Sequence, residues 1–116
     1  MNMYTIKTIT LKNDGVERKR RIITFTDKAM AIIAEFLMTD APIGNGVVLA
    51  QFEAVLFGNE KIATFSGNRC HVTIRGATSI VTDTFTHVDR KVQYESYTID
   101  TKQLYNLTKN WLENKL

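Results

Sequence analysis

The chain closes on a strongly signalled amphipathic helix, residues 100–116, and the stretch before it, residues 47–99, reads as strand after strand. That order constrains the fold more than any other feature. It calls for a sheet braced by helices and leaves few residues for a separate catalytic apparatus. The closing helix carries its own start signal. Asp100 followed by Gln103 three residues later makes a capping box, in which the two side chains satisfy backbone N–H groups of the first turn. Leu104, Leu107 and Trp111 then recur on one stripe with Leu112 beside it, and Asn106, Asn110 and Asn114 share the opposite, wet face.

The N-terminal half begins with a hairpin. Residues 3–12 alternate and are rich in Thr and Ile, which predicts a strand. Asn13-Asp14-Gly15 predicts a tight turn, because Asp-Gly tolerates positive φ, and residues 16–25 predict the return strand. Thr26 is then expected to cap a helix over residues 27–39, with Asp27 in its first turn at the positive end of the helix dipole. That helix is apolar on nearly every side, as a buried helix is, and Ala31 and Ala34 suit a close approach to the sheet. Pro42, Gly44 and Gly46 predict a loop over residues 40–46.

The remaining strands are expected over residues 47–57, 61–65, 69–75, 78–85 and 92–99. Gly58-Asn59, Ser66-Gly67-Asn68 and Gly76-Ala77 break them, and residues 87–91 form a polar tip. In the segment 69–75, Cys70, Val72 and Ile74 fall on one face and Arg69, His71, Thr73 and Arg75 on the other. Short turns between successive strands imply antiparallel pairing. The expected class is therefore α+β: one mostly antiparallel sheet of about six to seven strands in the order β-β-α-β-β-β-β-β-α, with the helices packed on one face. A chain of 116 residues is expected to fold as one domain.

Composition excludes several activities. With 44% hydrophobic and 23% charged residues, the chain is an ordinary globular protein rather than a disordered one. Its one cysteine, Cys70, rules out an internal disulfide and a Cys-based zinc cluster, and points to a reduced, cytoplasmic setting. The first residues lack the apolar core of a signal peptide, and the longest apolar stretch, residues 29–38, is broken by Glu35 and is about half a membrane span. No membrane association is expected. Charge divides along the chain. Residues 1–25 carry six Lys/Arg against two Asp/Glu, residues 26–60 one Lys against five acids, within an overall charge of +3. Such a two-signed surface suits docking to a partner.

The candidate chemistry is sparse. His71 and His87 are the two imidazoles, and neither has a nucleophile or orienting carboxylate beside it in sequence. A metal-independent ribonuclease built on His71 with Arg69 and Arg75 is the enzymatic alternative. Cys70, on the face with Val72 and Ile74, reads as a structural thiol. Gly44-Asn45-Gly46 follows a helix, whereas phosphate loops follow a strand and open a helix. Asp83, Asp89 and Glu95 match no calcium loop. Glu35, Asp40, Glu53 and Glu60 belong to the expected helix-loop-strand segment, and Glu35 marks either an exposed line or a polar site at the sheet edge. No cofactor and no metal is expected.

One real charge run remains, Arg18-Lys19-Arg20-Arg21. On a strand, Arg18 and Arg20 face one side and Lys19 and Arg21 the other. Such a run either keeps an edge strand from aggregating or contacts an anion, nucleic acid included.

The Thr-, Asn- and Ile-rich texture, the strand-rich middle and the closing segment Ile99-Asp100-Thr101-Lys102-Gln103-Leu104 … Asn110-Trp111-Leu112 resemble small bacterial immunity proteins of contact-dependent growth inhibition and related toxin systems. The resemblance covers the whole chain and lies in size, texture and architecture, with no diagnostic motif. It implies a non-catalytic cytoplasmic protein that neutralises a toxin domain, in some systems a nuclease, by tight complex formation. The chain departs from the strongly acidic composition of many nuclease inhibitors. On this reading the contact residues are drawn from Arg18, Lys19, Arg20, Arg21, Glu35, Asp40, Glu53, Arg69, His71 and Arg75. The alternative partner is nucleic acid, bound through residues 18–21.

Overall fold

A computed structural model of the chain describes residues 3–44, 46–84 and 96–116. Strands β1 (Tyr4–Asn13) and β2 (Val16–Phe25) form a long antiparallel hairpin. Its two-residue turn has φ of 52° at Asp14 and 78° at Gly15. Positive φ at both centres is the turn whose twist matches the flanking strands, and it is what Asp-Gly encodes. Asp27 caps the next segment by accepting from the Ala29 N–H at 2.9 Å, so the cap falls one residue beyond Thr26.

Helix α1 (Lys28–Gly44) runs into the expected loop as far as Gly44 instead of stopping before it. It opens as a 3₁₀ turn, continues as α-helix and widens into a π turn over Phe36–Asp40, where the Ala41 N–H donates to the Phe36 carbonyl. Pro42 has no N–H for the carbonyl four residues back, so the ladder is weakest there and the wider turn bridges the gap. Helix α2 (Val47–Leu56) follows after a bend of 104°. Strands β3 (Ile62–Ser66), β4 (Cys70–Arg75), β5 (Thr78–Asp83) and β6 (Ser96–Asp100) form an antiparallel meander in that order, and helix α3 (Thr101–Leu112) ends the fold.

The α+β class holds, but two details are corrected. Among the described residues there are two sheets, one of two strands and one of four, rather than one sheet of six or seven. Residues 47–57 are helical, not a strand. Val48, Phe52 and Val55 are the buried positions of α2, and their spacing of four and three is helical. The Val pair at its start and the nearly unbroken apolar run hide that period.

The buried apolar residues form one cluster. The inner face of the four-stranded sheet supplies Cys70, Val72, Ile74, Val81 and Ile99, and the three helices supply Ile33, Phe36, Leu37, Val48, Phe52, Leu104 and Trp111. Phe36 meets Phe65 edge-on at 6.3 Å, and Phe52 meets Tyr105 at 5.9 Å. The base of the hairpin joins the cluster through Ile23 and Phe25, with Tyr4 and Ile6 packed against it. Helix α3 keeps one half of the expected capping box: the Asp100 carboxylate accepts from the Gln103 N–H at 2.9 Å, while the Gln103 side-chain amide donates to Met3 Sδ at 3.4 Å. Its first turn is tied to the sheet by Thr101, whose hydroxyl meets Ser79 Oγ at 2.7 Å and donates to the Arg75 carbonyl.

Candidate partner-binding site

The hairpin is the most exposed regular element. Only its base is buried, and every residue from Thr10 to Arg20 is exposed. Cross-strand pairs define its faces. One face carries Lys7, Ile9 and Leu11 opposite Ile22, Arg20 and Arg18, and ends at the Asn13–Val16 pair. It combines cations with exposed apolar surface, Leu11 being 45% and Val16 53% exposed. The other face carries Thr8, Thr10 and Lys12 opposite Arg21, Lys19 and Glu17, with Lys12 and Glu17 forming an exposed ion pair at 3.4 Å.

The basic run is therefore split by the fold. Arg18, Lys19 and Arg20 stand in solvent. Arg21 is held. Its guanidinium carbon lies 4.2 Å from the centre of the Trp111 ring, and its Nη2 donates to the Trp111 carbonyl at 2.8 Å. Arg21 thus ties the hairpin to the end of α3, where a cation also complements the helix dipole.

Asp40 is buried and sits at the end of the π turn, not in a loop. Its carboxylate accepts from the backbone N–H groups of Asn68, Arg69 and Cys70 at 2.9, 3.1 and 2.6 Å. It closes the β3–β4 turn from the helical layer. A Cβ on Gly67 would lie 2.3 Å from the Asp40 carboxyl carbon, so this approach requires glycine.

Arg69 bridges Asp83 at 3.3 Å and Glu35 at 3.7 Å. It therefore reaches back toward the helices and does not share the open sheet face with His71 and Arg75, which corrects the expected trio. Glu35 marks a polar site at the sheet's end rather than a bare exposed line. Cys70 lies beneath this cluster. Burial, with the charges of Asp40 and Asp83, pushes its thiol up to about 12, which keeps it a protonated, unreactive structural group.

His71 is half-buried on the open sheet face, and its Nδ1 lies 2.7 Å from Ser66 Oγ on the paired strand. Sequence spacing conceals this pairing, since it depends on the β3–β4 register. A Ser–His pair acts as nucleophile and base when a third group orients the imidazole, and no third partner of His71 is found among the described residues. Arg75, exposed, lies opposite Ile62 at the other end of that face. Glu53 projects from α2, not from a strand, and accepts from the Tyr105 hydroxyl at 2.8 Å. Among the described residues no three His, Cys, Asp or Glu side chains converge as a metal site requires, and no single helix is long and apolar enough to cross a membrane. His87, Asp89, Glu95, Asn45 and the start of the expected strand 92–99 lie outside the described residues.

A groove of about 300 Å³ runs between β2 and α1, lined by Ile22, Thr24, Ala31, Ala34, Glu35 and Met38 among others. Sequence reading assigned Ala31 and Ala34 to close packing on the sheet. Ala31 is instead exposed and helps floor this groove. Leu11 and Val16 were also missed as surface features, although their place beside the Asp-Gly turn signals exposure. Scans against protein families, curated proteins and solved structures find no match for this chain.

Proposed function

We propose that this chain is a non-catalytic binding protein of the inhibitor or immunity type, which neutralises a partner toxin domain in the cytoplasm by forming a tight complex through the β1–β2 hairpin. The observation that carries this reading is the hairpin's exposed face, where Leu11 and Val16 stand beside Arg18 and Arg20. Protein interfaces have a hydrophobic core and a polar rim, with arginine enriched. Glu35, Asp40, Arg69 and Arg21 are engaged within the fold, which leaves Arg18, Lys19 and Arg20 together on the hairpin and Glu53, His71 and Arg75 on other surfaces.

The test is affinity purification of the tagged full chain from its native host, with and without nuclease treatment. A stoichiometric protein partner that survives nuclease and moderate salt is expected. It should be lost when Leu11, Arg18 and Arg20 are together replaced by Asp, Ser and Ser in a chain of unchanged melting temperature.

A second reading, nucleic-acid binding, is favoured by one observation. Arg18, Lys19 and Arg20 lie on a two-stranded ribbon, and the duplex major groove admits such a ribbon. Nucleic acid in place of protein in the purification, with a log–log salt slope of roughly −0.9 per neutralised phosphate, establishes this reading and overturns the first.

A further inference from the structure

Among the described residues the hairpin sheet has two strands, which leaves β2 an outer edge. The Thr26 N–H donates to the Met3 carbonyl at 2.9 Å and sets the phase of the ladder. By the alternation of antiparallel pairing, Thr24, Ile22 and Arg20 also turn their N–H and C=O toward β1. Arg21, Ile23 and Phe25 turn theirs away. No backbone hydrogen bond to Ile23 or Phe25 along that outer edge is found among the described residues. The groove between β2 and α1 lies along the same stretch, Ile22 to Phe25. A strand edge with unpaired amides and carbonyls is a template for another extended backbone, and native edges are usually blunted by a proline, a bulge or a covering element. Residues 22–25 carry no proline, and the ladder with β1 runs without a bulge from Phe25 to Val16.

We propose that this groove receives an extended segment of a partner protein, which adds to β2 as a third strand. The inference rests on the binding-protein reading and supplies its recognition chemistry. The edge backbone calls for an occupant that is itself extended backbone, since only a strand offers donors and acceptors at the spacing of Ile23 and Phe25. Ala31 and Ala34 on α1 leave room for alternate side chains of that strand, with Met38 alongside. Small and β-branched apolar side chains fit there. Upstream on β2, Lys19 is exposed, so the end of the strand lying beside it carries acidic residues.

The probe is a displayed library of random dodecapeptides selected on the full chain, followed by synthesis of the most enriched peptide. Enriched sequences are expected to alternate β-branched and polar residues with an acidic end. Binding should slow amide exchange at Ile23 and Phe25. N-methylation of the peptide at every second residue should abolish binding in one phase and spare it in the other. Ala31→Phe, a change at an exposed helix position, should fill the groove and weaken binding on the order of tenfold or more without lowering the melting temperature.

Failure to enrich any peptide overturns the proposal. So does equal affinity for the Ala31→Phe variant, or binding that tracks replacement of Arg18 and Arg20 alone. A purified chain that is dimeric and becomes monomeric on Ala31→Phe assigns the edge to a second copy and also overturns it. The hairpin-tip variants decide the broader reading separately, since none of them touches the groove.

Discussion

The guanidinium carbon of Arg21 lies 4.2 Å from the centre of the Trp111 ring, and its Nη2 donates to the Trp111 carbonyl. The two residues are 90 positions apart. One pair thus joins the first hairpin to the last helix, and it takes one member of the basic run out of solvent.

Replacing Arg21 by Ala should destabilise the protein by about 2 kcal/mol, from the loss of a cation–π contact and a charge-assisted hydrogen bond. Arg18→Ser and Arg20→Ser should each stay within roughly 0.5 kcal/mol of the parent, as exposed positions do. Urea denaturation of the three variants checks this. Equal effects at all three positions would show that Arg21 is not a structural residue.

Trp111 is 4% exposed against the core. Trp111→Ala should cost about 3–5 kcal/mol, by loss of burial and by the cavity left behind. The same substitution strands Arg21, so the double variant with Arg21→Ala should be less destabilised than the sum of the singles. An additive double-mutant cycle would remove the coupling.

Asp40→Ala should cost about 3 kcal/mol or more, because the turn amides of Asn68, Arg69 and Cys70 lose their acceptor in a buried site. Asp40→Asn, which keeps one carbonyl acceptor, should cost less. Gly67→Ala should be destabilising as well, since its Cβ displaces the Asp40 carboxylate. Thermal melts rank the three. A neutral Gly67→Ala would mean that the turn and α1 separate without penalty.

Cys70 makes stability depend on alkaline pH. Its thiol rises from 9.0 to about 12 on folding. Below pH 9 the thiol is protonated in both states and contributes no slope. Between pH 9 and 12 the unfolded chain binds fewer protons, so stability falls by about 1.4 kcal/mol per pH unit at most. The parent should lose more stability than Cys70→Ala over that window, measured as the difference between their denaturant midpoints. Parallel curves would refute the assignment. In the native state at pH 8, Cys70 should also resist thiol reagents.

Some of this protein is settled by neighbours in the chain. The Asp14–Gly15 turn, the Asp100–Gln103 cap, the Leu104–Leu107–Trp111 stripe and the alternation of Cys70, Val72 and Ile74 follow from turn chemistry and periodicity, which act over a few residues. In α2 the helical spacing of Val48, Phe52 and Val55 is masked by neighbouring valines and a nearly unbroken apolar run, so local pattern favours a strand there and packing decides for a helix. Other features needed the tertiary structure. The parting of the hairpin from the four-stranded sheet, the burial of Asp40 under a turn 28 residues away and the meeting of Arg21 with Trp111 each select a partner far along the chain. So does the placement of Arg69 between Glu35 and Asp83. The pairing of Ser66 with His71 is close in sequence but waits on strand register. Local spacing tells which way a side chain points relative to its own element. Which element it then meets depends on how the helices and sheets pack, and that is decided by the burial of the whole core.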